Sequence, residues 1–149
     1  MEITIKNLQK KIRLRPEPLK KIVRKILRRE KAQAKEVSFC FVSSQKIRSL
    51  NRKFLNRAYT TDVLAFLLEE DPPWTGEIII STDAIKQNAF HFKTDIAYEG
   101  TLYVVHGLLH LLGYDDQKPK QIRKIRAKEE ELMQYLKKDI KGVFTENVK

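Results

Sequence analysis

The features that the chain lacks narrow its class first. A single cysteine, Cys40, excludes an internal disulfide and is typical of a protein of the reducing cytoplasm. No apolar run approaches the roughly 20 residues of a membrane-spanning helix, and the first residues do not have the pattern of a secretory signal. Repeats, low-complexity tracts and long linkers are also missing, so we expect one domain over residues 1–149.

The charge of the chain is strongly positive and unevenly distributed. The net charge is +11, yet residues 1–60 contain 18 Lys and Arg against 4 Asp and Glu, whereas residues 61–149 contain 12 against 15. Such a basic half favours a polyanionic partner, nucleic acid before an anionic membrane surface. A merely solvated surface is the alternative interpretation of the same charges.

The run from His106 to Asp116, H-G-L-L-H-L-L-G-Y-D-D, has the spacing of a metal site. His106 and His110 are four residues apart in an apolar segment, so on a helix both imidazoles lie on one face. Gly113 allows the chain to leave the helix, and Asp116 can then return as a third ligand. Three protein ligands with an open fourth position are typical of a catalytic zinc site. The alternative is that the two histidines simply pack in a core.

The motif shares its spacing with the metzincin pattern H-E-x-x-H-x-x-G-x-x-H, with two differences. Gly107 stands where a metallopeptidase has its general-base Glu, and Asp116 stands at the third His. A bound metal could lower the pKa of a water molecule and polarise a substrate oxygen. The sequence identifies no general base, because Asp115 is predicted to cap the turn after Gly113 and His91 to lie at the surface.

Hydrophobic periodicity predicts four strands and five helices in mixed order. The strands are predicted at 2–6, 36–43, 61–68 and 76–81, and the helices at 18–32, 45–56, 82–91, 95–112 and 119–138. The fourth helix is apolar on almost every side, as expected for a central buried helix, and the residues after Lys141 are predicted to fray. The fold class is α+β: a small mixed four-stranded sheet covered by about five helices, with a central, zincin-like metal-binding helix.

Three segments together resemble the YbeY family of bacterial endoribonucleases. They are L-N-R-K-F-L-N-R-A-Y-T-T-D-V-L-A-F at 50–66, G-E-I-I-I-S at 76–81 and V-V-H-G-L-L-H-L-L-G-Y-D at 104–115, in the family's order. The resemblance implies a cytoplasmic, metal-dependent enzyme with one zinc ion per chain that cleaves single-stranded RNA. It further implies a role in maturing the 3′ end of small-subunit ribosomal RNA and in ribosome quality control, with the small ribosomal subunit as partner and neither a membrane nor a small organic cofactor.

Carried over residue by residue, the resemblance assigns His106 and His110 as metal ligands and places Asp116 at the family's third His. It also places Leu55 where the family has an Arg that is implicated in activity. The basic half supplies other candidates for contacts with RNA. These RNA-binding candidates are Arg52, Arg57, Lys21, Arg24 and Arg28.

Three functions remain open from the sequence. The leading hypothesis is metal-assisted cleavage of RNA, with the basic half guiding the RNA backbone. A metallopeptidase-like hydrolase is favoured by the ligand spacing and disfavoured by Gly107. A non-catalytic, RNA-binding ribosome-assembly factor with a structural metal is favoured by Leu55.

Overall fold

The computed structural model describes residues 1–55 and 62–147, with the side chains of all of these except 54 and 55. The strands within these ranges are β1 (Glu2–Asn7), β2 (Ile12–Leu14), β3 (Ala34–Val42), β4 (Val63–Glu69), β5 (Trp74–Ser81) and β6 (Phe144–Glu146). The helices are α1 (Pro16–Arg29), α2 (Ser44–Leu55), α3 (Thr82–Phe92), α4 (Ile96–Leu111) and α5 (Pro119–Tyr135).

The main sheet has four strands in the order β1-β3-β5-β4. The first three are parallel, and β4 runs antiparallel to β5 at one edge. Alternate residues of β3 and β5 point into the core, where Val37, Phe39, Phe41, Ile78 and Ile80 are fully buried. The other face is covered in part by α2, because Val42 and Ile79 form a second, smaller core cluster with Ile47. The predicted mixed sheet of an α+β fold is confirmed.

Helix α4 is the central helix of the fold. It contacts β4, β5, β6, α3 and α5, and most of its residues are buried. Gly107 faces the sheet, where an added Cβ would lie 2.7 Å from Cγ2 of Ile78. The absence of a side chain at this position therefore allows α4 to approach β5 closely. No helix of the described ranges is long and apolar enough to cross a membrane.

A second, two-stranded sheet was not predicted. Strands β2 and β6 pair in antiparallel fashion, with Leu14 opposite Phe144. The prediction that the chain frays after Lys141 is wrong, because Val143 and Phe144 are buried. The ring of Phe144 packs against that of Phe41, with 5.6 Å between centroids. Strands of three residues are too short to show a period in the sequence, so only the tertiary contacts reveal them.

Candidate metal centre

The two histidines are held by a helix whose ends are both defined by the sequence. At the start of α4, the Asp95 carboxylate accepts a hydrogen bond from the backbone N–H of Tyr98 at 2.7 Å, as expected of an N-cap residue. At its end, Gly113 has a φ of 101°, and the N–H groups of Gly113 and Tyr114 bond to the carbonyls of His110 and Leu109. This is a Schellman ending, which favours glycine at that position. It turns the chain back toward α4.

The three predicted ligands converge as a result of this turn. Nε2 of His106 lies 3.0 Å from Nε2 of His110, and Oδ2 of Asp116 lies 3.5 Å from the first nitrogen and 3.4 Å from the second. Ligand bonds of 2.0–2.2 Å in a tetrahedral zinc site place neighbouring donor atoms about 3.4 Å apart. The donor set and its spacing therefore fit a zinc-like ion, and these three form the group of described residues that could hold one.

A fourth residue, Glu129 of α5, supports this centre and was missed by the sequence analysis. Its Oε2 lies 2.5 Å from Nδ1 of His106, and its side chain is largely buried. A carboxylate at Nδ1 favours the tautomer whose Nε2 lone pair faces the metal position, and it fixes the ring. Glu129 follows Ile125 by four residues and so lies on the inward face of its helix. A charged residue at such a core-facing position was the signal in the sequence that could have marked Glu129 as a functional residue.

The donor atoms face a cleft of about 840 Å³. Its walls come from β4, α3, α4, the turn after α4 and α5. Among the described residues, four acidic side chains line it, namely Asp62, Asp115, Asp116 and Glu129. Arg126 is the one basic side chain among the described residues that line it. The centre is thus an acidic cleft, suited to holding a cation.

The cleft also contains a hydrogen-bonded cluster around Tyr103, which lies on α4 as the two histidines do. The side-chain amide of Asn88 donates to the Tyr103 hydroxyl, which lies 3.4 Å from Oδ2 of Asp62. Burial, together with the negative charge of Asp62, raises the pKa of Tyr103 above its ordinary value. Tyr103 therefore stays protonated and can donate to Asp62. It precedes His106 by three residues on the same face of α4.

Four of the five RNA-binding candidates named from the sequence are described, and none of the four is brought to this cleft. Lys21, Arg24 and Arg28 are exposed on α1 and Arg52 is exposed on α2, and none of these four lines the cleft. Nζ of Lys21 lies 3.7 Å from Oδ1 of Asp139. The remaining candidate, residue 57, and the side chain at position 55 lie outside the described residues.

Asp115 and His91 were not predicted to be ligands, and neither belongs to the group of side chains that could hold a metal. Asp115 accepts a hydrogen bond from the backbone N–H of Asp116 at 2.8 Å, which shapes the turn that carries the third ligand. His91 is exposed near the end of α3 and does not line the cleft. It therefore provides a control histidine for experiments on the metal centre.

Comparison with known proteins gives consistent results for sequence and structure. A family model described as Endoribonuclease YbeY matches residues 4–137. A protein of that name from Syntrophus aciditrophicus is 34% identical, with 89% of this chain and 88% of the relative covered. Another from Chlorobium phaeovibrioides is 35% identical, with coverage of 79% and 80%. The solution structure of TM1509 from Thermotoga maritima has a TM-score of 0.60 at 29% identity and covers 92% of this chain and 93% of that one.

Proposed function

Because the chain belongs to the YbeY family, we propose that it is a metal-dependent endoribonuclease that cleaves single-stranded RNA. The observation that carries the proposal is the convergence of Nε2 of His106, Nε2 of His110 and Oδ2 of Asp116 in one cleft. The relatives' shared name supports RNA as the substrate. The basic half of the chain supports a polyanionic substrate independently.

His106, His110 and Asp116 would hold the ion, and zinc is the proposed ion because two imidazoles and one carboxylate are common zinc ligands. When bound, such an ion supplies Lewis-acid chemistry, polarising a phosphate oxygen and lowering the pKa of a coordinated water. The ligand side chains are 26–42% exposed, so the side of the site that faces the cleft is accessible to substrate. Glu129 keeps the His106 ring in the orientation that binding needs.

A peptidase is disfavoured by the packing at Gly107. The peptidase motif requires a Glu at this position as general base. Here the helix packs so closely on β5 that even a Cβ would meet Ile78 at 2.7 Å. The position therefore serves the contact between helix and sheet, and it has no room for a catalytic side chain.

We propose further that one domain over residues 1–149 carries this activity in the cytoplasm. The proposed substrate is ribosomal RNA, at the 3′ end of the small-subunit species, and the proposed partner is the small ribosomal subunit. A role in ribosome quality control belongs to the same proposal. The family to which the chain belongs and the basic half of the chain support these assignments.

The acidic lining of the cleft favours one alternative, an RNA-binding assembly factor in which the metal is structural. Among the described residues that line the cleft, four carboxylates face one arginine, and this excess of negative charge weakens the attraction of an RNA strand. The alternative predicts that metal-loaded protein binds RNA and leaves it intact.

The test measures metal content and RNA cleavage for the wild type, His110→Ala and His91→Ala. We expect about one zinc ion per chain by elemental analysis, together with cleavage of a single-stranded RNA, in the wild type and His91→Ala. Both should be lost in His110→Ala. Wild-type protein without metal would contradict the metal site, and loaded protein that leaves RNA intact would support the assembly factor.

A further inference from the structure

We propose that Arg126 binds a phosphate group of the RNA strand within the metal-site cleft. The inference rests on the proposed function, since it takes RNA as the substrate. It adds to that function a specific contact between a residue of α5 and an RNA phosphate.

The position of Arg126 is the first argument. It lines the same cleft as the three ligands, it is exposed to solvent, and it precedes Glu129 by three residues. Residues three apart on a helix are neighbours. The guanidinium is therefore carried on the helix face that also supports His106.

The charge of the cleft is the second argument. Asp62, Asp115, Asp116 and Glu129 line the cleft, and an RNA strand adds further negative charge. A bound divalent ion offsets only part of this negative charge. Among the described lining residues, Arg126 is the one permanent cation that can offset the remainder.

The freedom of the guanidinium is the third argument. An Arg and a Glu three apart on a helix commonly form an ion pair, yet the carboxylate of Glu129 contacts His106. No ion pair of the described residues includes Arg126. By contrast, Lys128 on the same helix contacts both Glu30 and Glu131. The donors of Arg126 are thus available, and a guanidinium matches two phosphate oxygens at once.

The test compares Arg126→Ala and Arg126→Lys with Arg123→Ala, a matched control on the same helix that is exposed and does not line the cleft. Metal-loaded proteins are titrated with a single-stranded 2′-O-methyl RNA of about ten nucleotides, whose integrity is checked on a gel. The negative slope of log affinity against log salt concentration should become less steep by about 0.7 in Arg126→Ala, the value for one lost phosphate contact on a single strand. Metal content and melting temperature should be unchanged.

Cleavage of unmodified RNA gives the second readout. We expect kcat/KM to fall about ten- to a hundredfold in Arg126→Ala, as for a lost hydrogen bond to a charged group. The kcat/KM of Arg126→Lys should lie between those of Arg126→Ala and the wild type, because lysine keeps the positive charge but cannot bind two phosphate oxygens with one planar group. An unchanged salt slope in Arg126→Ala, or an equal fall in Arg123→Ala, would overturn the proposal. Failure of the wild type to cleave RNA would reject the endoribonuclease, while the salt slope would still decide the role of Arg126.

Discussion

The carboxylate of Glu129 lies 2.5 Å from Nδ1 of His106 and so joins α5 to α4 behind the candidate metal centre. The side chain of Glu129 is only 15% exposed, so the contact is shielded from solvent. The two residues are 23 positions apart in the chain. The metal centre therefore depends on the packing of two helices as well as on the motif in one of them.

Glu129→Gln should weaken metal binding by about 10- to 100-fold, because loss of a carboxylate behind a ligating His lowers the basicity of the ring and loosens its orientation. Zinc affinity, measured by competition with a chelator, checks this. The matched control is Glu130→Gln, at the adjacent exposed position, which should bind zinc as the wild type does. Equal affinities for the two variants would show that the Glu129 contact does not support the site.

Gly107→Ala should destabilise the fold by about 1–3 kcal/mol, as overpacking of a core commonly does. The cause is the approach of the new Cβ to Cγ2 of Ile78 at 2.7 Å. Urea unfolding of Gly107→Ala, Ile78→Ala and the double variant forms a cycle. Gly107→Ala should lower the free energy of unfolding by less in the Ile78→Ala background than in the wild type. If the two substitutions lower it additively, the clash between the new Cβ and Ile78 is contradicted.

Phe144→Ala should cost about 3–5 kcal/mol in the free energy of unfolding. The side chain is 1% exposed and packs against Phe41. Thr145→Ala, at an exposed position of the same strand, should have little effect. A melting temperature of Phe144→Ala equal to that of the wild type would mean that the end of the chain does not complete the core.

At alkaline pH the free energy of unfolding should depend on the ionisation of Tyr103. Its pKa is raised in the folded protein by burial and by the charge of Asp62, so the unfolded chain loses this proton first, near pH 10. The stabilising effect is fully present below that pH and is lost as pH rises toward the folded pKa. Tyr103→Phe should therefore lose less unfolding free energy than the wild type between neutral pH and pH values above about 10. The free energy of unfolding of both proteins is measured by urea unfolding at a series of pH values. Parallel plots of this free energy against pH for the wild type and Tyr103→Phe would contradict the prediction.

The sequence predicted most of what lies within single segments. The convergence of His106, His110 and Asp116 follows from their spacing on a helix and its ending at Gly113, and their role as metal ligands stays a prediction. The four long strands and five helices follow from their apolar periods. Each of these features is encoded within a window of about 11–18 neighbouring residues.

What escaped prediction depends on contacts between distant segments. The approach of Glu129 to His106 and of Asp62 to Tyr103 requires the packing of separate elements. The core-facing position of Glu129 in its helix marks the residue as unusual but does not identify its partner. The pairing of Leu14 with Phe144 involves strands of three residues, too short for a period. Arg126 appears in the sequence as an ordinary exposed helix residue until the fold places it on the cleft wall.

The pairing of β2 with β6 sets a condition on biosynthesis. The side chain of Asn147 donates to the carbonyl of Lys10 across 137 positions, and Phe144 fills the core beside Phe41. A nascent chain cannot make these contacts until residue 144 has emerged from the ribosomal exit tunnel. Until then the apolar surface around Phe41 stays open to chaperones and proteases. Completion of the core thereby waits for the synthesis of β6.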